Sequence, residues 1–341
     1  MTSKNEETIE ELSKIKEDIK SNSKLTKYTK NIPDLEKKSL TIVRELKGHF
    51  SKIYAMCWSR DSNYILTVSQ DGNAKLWDAE KGKLFITIPL RTSYNMTCCL
   101  SPSNQFTATG GLNNLCIIRK VDFSGSQNEN QSSKIYRELH DHGGYVSCIK
   151  FVDEQFILSS SGDSTCKFWD IEKGRKLVTF SDHTADVMDI DIHYNQNVFL
   201  SGACDATSKL WDIRTGECEL TFTGHQSDVN CVKFHPNYQA FGTCSDDSTC
   251  KLFDLRTSSQ ISEYTNEDTQ QIGTTSLDFS CSGRLLFTSY DDNLIRVWDV
   301  LKQKLHSVLN KHSSRVSRLS VSYDGSALCS AGWDKNIYVW A

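Results

Sequence analysis

Nowhere in these 341 residues do about 18 apolar residues run together, so no segment qualifies as a membrane-spanning helix. No secretory signal opens the chain. Its start, Met-Thr-Ser, is no myristoylation site, and its end, Val-Trp-Ala, is no prenylation box. Charge of one sign is lacking too: a formal net charge of −4 gives no general attraction to nucleic acid or anionic membrane. The thirteen cysteines include no C-x-x-C metal pair, and an odd number fits no disulfide framework. They point instead to reduced, buried thiols behaving as small apolar residues in a cytosolic protein.

What the sequence has is a repeat. Asp71, Asp163, Asp205, Asp247, Asp292 and Asp334 each stand six residues before an aromatic: Trp77, Trp169, Trp211, Phe253, Trp298 and Trp340. In one degraded copy Asn113 stands six before Arg119. Successive aromatic positions lie 42, 50, 42, 42, 45 and 42 residues apart. A period of roughly 40–45 residues with Gly-His and Trp-Asp signatures belongs to a β-propeller. Seven copies predict one all-β, seven-bladed WD40 β-propeller over residues 40–341, because propellers grow by adding blades. Strands are expected at Thr41–Leu46, Ile53–Trp58, Tyr64–Ser69 and Ala74–Trp77. The last repeat ends on a third strand, Tyr338–Trp340, and the strand before Gly48 can supply its fourth and close the ring. The 50-residue interval contains a Ser/Asn/Gln-rich stretch, Asp122–Ser133, expected to be a mobile loop within blade two.

Residues 1–33 differ. They are rich in Glu and Lys, carry a capping-box pattern at Ser3 and Glu6, and reach Pro33 as the first helix breaker. Leu12, Ile15 and Ile19 follow a heptad seam, with Ile9 and Leu25 beside it. The stripe predicts an N-terminal α-helix that forms half of a coiled coil with another chain. A polar leader without fixed structure is the other reading of this composition.

His49, His142, His183, His225 and His312 each precede a blade's first inner strand, and Ser69, Ser161 and Ser245 lie two residues before the blade Asp. Ser, His and Asp together suggest hydrolysis, but a hydrolase has one triad and one oxyanion hole, whereas this set recurs in several blades. A Ser-His-Asp-Trp chain that satisfies polar groups at a tight turn explains the recurrence. Ala203 in blade four, Phe253 in blade five and a missing His in blade six fit a framework that tolerates gaps. We expect no enzyme activity, no cofactor and no metal site.

If those positions fix each blade, their neighbours on one rim are free to vary. Three after the His stand Lys52, Tyr145, Asp186, Asp228 and Arg315. Five after it stand Tyr54, Ser147, Met188, Asn230 and Ser317. One before the Asp stand Gln70, Leu112, Gly162, Cys204, Asp246, Asp291 and Trp333, while Tyr94 and Met96 occupy the equivalent turn of blade two. Aromatics, Met and both charge signs on one face make the composition of a protein-binding hot spot. Alternatively, residues such as Tyr145 and Met188 simply plug the top of the core.

Several strings resemble the β subunit of heterotrimeric G proteins: GHFSKIYAM (48–56), NMTC (95–98), GGLNNLC (110–116), SSGDSTC (160–166), Asp186-Val187-Met188, SGACD (201–205), SDDSTCKLFDL (245–255) and SGRLL (282–286). A leading helix before seven blades, and a chain stopping after its last Trp, look like that family too. The resemblance implies a constitutive complex with a small γ subunit through Ile9, Leu12, Ile15, Ile19 and Leu25. It implies a rim that holds the GDP-bound α subunit and, after its release, effectors in receptor signalling. The positions matching the family's contact motif are Lys52, Tyr54, Met96, Leu112, Asn114, Tyr145, Asp186, Met188, Cys204, Asp228, Asn230, Asp246 and Trp333, with Tyr94 standing where the family usually has Trp. Phe50 replaces an aliphatic residue, Asn73 a Lys, and Gly143 also departs. The resemblance further implies no nucleic-acid partner and a place in the cytoplasm, at the cytoplasmic face of the plasma membrane, reached only through lipidated γ and α. Another WD40 scaffold or adaptor is the alternative; such proteins usually lack the helix or carry an extra recruitment module.

Overall fold

The computed structural model describes residues 29, 32–35, 40–121, 133–265 and 271–341. The expected N-terminal helix, with Ile9, Leu12, Ile15, Ile19 and Leu25, lies outside the described residues, as does the stretch 122–132.

Among the described residues, short β-branched and aromatic runs between polar turns form 28 strands in seven antiparallel sheets of four. Blade one comprises Ile53–Trp58, Tyr64–Ser69, Asn73–Asp78 and Lys83–Pro89. The second and third strands of each blade are covered on both faces by neighbouring blades. Tyr64–Ser69 is accordingly buried along almost its whole length, while Lys83–Pro89 is largely exposed. The core is therefore divided among the gaps between sheets. Between blades three and four, Cys148, Leu158 and Phe180 meet Ile190, Phe199 and Trp211. Between blades one and seven, Ile53, Met56 and Trp77 meet Cys329, Ala331 and Val339.

The ring closes as the sequence suggests. Ile42–Lys47 pairs antiparallel with Asn336–Trp340 as the fourth strand of blade seven. The backbone groups of Thr41 and Ala341 exchange hydrogen bonds at 2.9 and 3.0 Å, which sews the first described strand to the last.

One irregularity recurs in every blade. The pairing of the first two strands shifts register after the first residue, leaving Tyr54, Met96, Ser147, Met188, Asn230, Thr275 and Ser317 as the extra residue of a β-bulge. A bulge bends its strand and re-aims the side chain it carries. Seven bulges at one level of a ring direct seven side chains to one place.

Candidate functional site: the bulge ring and its rim

All seven bulge residues line a single cavity of about 290 Å³ at one mouth of the central channel, joined by Tyr145, Arg315 and Trp333. A second ring surrounds it. The residue before the blade Asp donates its backbone N–H to the carbonyl of the residue opposite on the incoming loop, in all seven blades: Gln70 to Lys52, Leu112 to Tyr94, Gly162 to Tyr145, Cys204 to Asp186, Asp246 to Asp228, Asp291 to Gly273 and Trp333 to Arg315, at 2.8–3.1 Å. Backbone groups make this ring, so its side chains are free to differ. That is the physical reason why a constant frame carries a variable face.

The variation is ordered by charge. On the side of blades one and seven, Trp333 carries two cations close to its ring, with Lys52 Nζ 3.9 Å and the Arg315 guanidinium 5.1 Å from the ring centre. Both are at cation–π distance. On the side of blades four to six stand Asp186, Asp228, Asp246 and Asp291. Arg315 reaches across to Asp291 at 2.9 Å. The acidic side perturbs its neighbours. Burial and then the Asp228 carboxylate push the Cys204 thiol up to about 12. Burial raises the Asp291 carboxyl; Arg315 opposes this, while Asp246 and Asp292 add to it.

Between the two sides sits a tyrosine. The Tyr145 hydroxyl donates to Asp186 Oδ2 at 2.9 Å and lies 3.5 Å from Met188 Sδ, so burial and the bond to Asp186 raise its pKa. Its ring rests on Gly162, where an added Cβ would come within 2.4 Å of a ring carbon. Asn230 donates to Asp246 at 2.6 Å and to the Thr274 carbonyl at 2.8 Å. Asn114 reaches the Gly143 carbonyl at 3.4 Å and has a left-handed backbone, φ 61°. Tyr94 and Leu112 are half exposed at the edge, at 48% and 54%. Phe50, at 77%, is the most exposed large apolar side chain among the described residues.

The structure thus brings Tyr54, Met96, Tyr145, Met188, Asn230 and Trp333 onto one cavity. Around it stand Lys52, Tyr94, Leu112, Asn114, Asp186, Cys204, Asp228 and Asp246. Sequence reasoning left Thr275 out of the inner ring because blade six lacks the His from which offsets are counted. Counting back from Asp292 would have found it.

Beneath the rim lies the framework, and here one expectation is corrected. In blade one His49 Nδ1 donates to Asp71 at 2.8 Å, while His49 Nε2 and Trp77 Nε1 meet on the hydroxyl of Thr67, at 2.8 and 2.9 Å. Blade three uses His142, Asp163, Ser159 and Trp169; blade four His183, Asp205, Ser201 and Trp211; blade seven His312, Asp334, Ser330 and Trp340. Blade five joins His225, Asp247 and Thr243, with Phe253 in the ring position. The shared hydroxyl therefore stands four residues before the Asp. Ser69 and Ser161, two before it, are not members of the chain. Their hydroxyls accept the Asp71 and Asp163 amides and tighten the turn. Ala203 consequently leaves blade four's chain unbroken.

An ionised carboxylate fixes the polarity: Nδ1–H donates to it, so neutral Nε2 accepts the hydroxyl proton and the hydroxyl oxygen accepts from tryptophan. Each of these five carboxylates also accepts the amide after its histidine, at 2.9–3.1 Å. Burial raises their pKa values, but these bonds outweigh it and hold all five below the ordinary range. Where a member is absent an arginine compensates. Arg296 grips Asp292 with two nitrogens in blade six, at 3.2 and 2.7 Å, and Arg119 in blade two donates to Thr109 from the Trp position at 3.0 Å.

A family model described as "G protein beta WD-40 repeat protein" matches residues 3–341. The chain is 49% identical over 337 residues to the guanine nucleotide-binding protein subunit beta of Dictyostelium discoideum, covering 98% of this chain and 95% of that one. It is 53% identical over 297 residues to the protein of the same description from Lymnaea stagnalis, covering 87% and 85%. The solved WD40 β-propeller domain of Doa1 superposes with a TM-score of 0.76 at 20% identity, covering 89% of this chain and 97% of that domain, a likeness of fold alone.

Proposed function

This chain belongs to the G protein beta WD-40 repeat family, and from that premise we propose that it serves as the β subunit of a heterotrimeric guanine nucleotide-binding protein, using the bulge ring and its rim as the docking face. The observation that carries the reading is the placement of Trp333 and its two cations at one side of a cavity whose surrounding rim is acidic on the other side. A half-buried aromatic anchor beside charges of both signs is how interfaces concentrate energy and set orientation. The occupant is the α subunit in its GDP-bound form. A surface that binds one nucleotide state better than the other stabilises that state by the difference in affinity. Effectors meet the same face once α leaves.

Residues 9–25 would grip a γ subunit through the heptad seam. A lipidated γ, with α, would hold the assembly at the cytoplasmic face of the plasma membrane. The rim works by contact and displacement, without a chemical step. The repeated Ser/Thr-His-Asp sets are buried under it and spent on holding turns.

Calorimetric titration of purified α·GDP against the dimer tests the docking face. Trp333→Ala with Lys52→Ala should weaken binding by about 2 kcal/mol or more while the denaturation midpoint stays in place. Unchanged affinity would remove the rim from the interface. Deleting residues 1–30 should abolish co-purification with γ; a truncated chain that still carried γ through a stringent wash would refute the seam.

A further inference from the structure

The channel wall holds chemistry that docking does not use. Cys57 and Cys98 lie on the first strands of adjacent blades, Ile53–Trp58 and Asn95–Leu100, and both line the channel cavity. Cys98 belongs to the apolar cluster between blades one and two, and Cys57 packs against that same cluster. Neither thiol is in a disulfide, and the Cys98 thiol donates to the Leu66 carbonyl, at 3.7 Å. Cys57 is half-buried and also lines the opposite channel mouth, so small solutes reach it from either end. Two cations, Lys150 and Arg318, line both cavities with it.

We propose that Cys57 and Cys98 are an oxidisable pair, which hydrogen peroxide entering the channel converts to a disulfide joining blades one and two beneath the rim. The two sulfurs have unequal roles. The neighbouring Cys98 holds the Cys57 thiol below its ordinary range; burial opposes this, and the Lys150 charge assists it. Burial pushes Cys98 well up. A thiolate beside cations and open to solvent is the sulfur that reacts with peroxide. It attacks one peroxide oxygen, the O–O bond breaks, the other oxygen leaves as water, and Cys57 becomes a sulfenic acid. The Cys98 sulfur then attacks the Cys57 sulfur; the S–O bond breaks and that oxygen leaves as water with the Cys98 proton. Two electrons pass from the sulfurs to one peroxide, and two waters result. Cys99, next in sequence, belongs to the cluster between blades two and three, which Cys57 also touches, so a Cys57–Cys99 link would overturn this choice of partner.

Peptide mapping of the full-length chain after hydrogen peroxide treatment, without reduction, tests this and does not depend on what the rim binds. The expected result is loss of two of the thirteen thiols and one cross-linked peptide pair containing Cys57 and Cys98, reversed by dithiothreitol. In Cys98→Ser, Cys57 should instead be trapped by dimedone. In Cys57→Ser, Cys98 should stay reduced. Oxidation confined to exposed Cys281 or half-buried Cys204 and Cys218, with Cys57 and Cys98 still alkylated, would overturn the assignment. So would dimedone-labelled Cys57 in the unaltered chain with no link to Cys98.

Discussion

Blade three ties its turn with a histidine: Asp163, His142, Ser159 and Trp169 share one continuous chain of hydrogen bonds. Blade six has no histidine. Its Trp298 still donates to a strand hydroxyl, Thr288 at 2.9 Å, but Asp292 is held from the third strand by Arg296, whose guanidinium also lies 4.4 Å from the centre of the Tyr290 ring. The pair of blades separates two tasks that the repeat makes look like one. Fixing the tryptophan requires a hydroxyl four residues before the Asp. Fixing the turn in these two blades rests on a held carboxylate, and either a histidine below it or an arginine beside it will do. In blade three the tasks are coupled through one oxygen atom; in blade six they are not.

The largest effect should come from removing that oxygen. Ser159→Ala strands both His142 Nε2 and Trp169 Nε1–H, which are buried, and should cost about 2–6 kcal/mol at about one to three per orphaned group. Thr288→Val keeps the shape and strands Trp298 Nε1–H but no histidine, and should cost about 1–3 kcal/mol. Shifts in the denaturant midpoint, at constant slope, measure both. Equal losses would mean that the histidine contributes nothing through the hydroxyl.

A smaller effect separates frame from face. Gly162, one before Asp163, is where Tyr145 rests. Gly162→Ala should leave stability within about 1 kcal/mol, because a side chain and not backbone must yield. It should swing Tyr145 off Asp186 and weaken α·GDP binding about tenfold, roughly 1.4 kcal/mol. Tyr145→Phe, which loses the hydroxyl without the clash, should weaken binding less. If the alanine variant binds normally, Tyr145 is core filling and not part of the docking face.

What could be read before the fold was seen follows from what a hairpin repeats. The six-residue offset from Asp to Trp is the length of one turn plus one strand, so it survives in all seven copies, even as Asn113 and Arg119. Ring closure was legible because the last repeat is one strand short. The hydroxyl was misassigned for a geometric reason. Residues two apart on a strand share a face, so spacing alone does not separate Thr67 from Ser69. What separates them is the register: Ile65 is opposite Trp77 and Thr67 is its diagonal neighbour, within reach of a long side chain. The rim offsets were legible as positions, but their cause was not. A bulge leaves no mark in composition, and the seven backbone bonds that make the outer ring involve no side chain at all.

The smallest effect is one of pH, and it distinguishes the charged turns from blade two, whose Asn113 has no charge to lose. The turn carboxylates of blades one, three, four, five and seven sit below their ordinary pKa range in the folded chain. A depressed carboxylate contributes stability that is complete above the unfolded value, about 3.9, and is lost as pH falls toward the folded value. His49 adds an earlier loss. Burial lowers its pKa against the pull of Asp71, so protonation of the unfolded chain begins to favour unfolding as pH drops through about 6.5. Asp163→Asn should therefore destabilise the chain at pH 7, with the gap to the unaltered protein narrowing below about pH 4. Urea midpoints at several pH values between 3 and 7 would show it. Asn113→Ala in blade two should leave a gap that does not narrow in this way, because no proton binds at that turn in either chain. A gap at Asp163 that stayed constant down to pH 3 would mean that the carboxylate acts there by shape and hydrogen bonding, not by its charge.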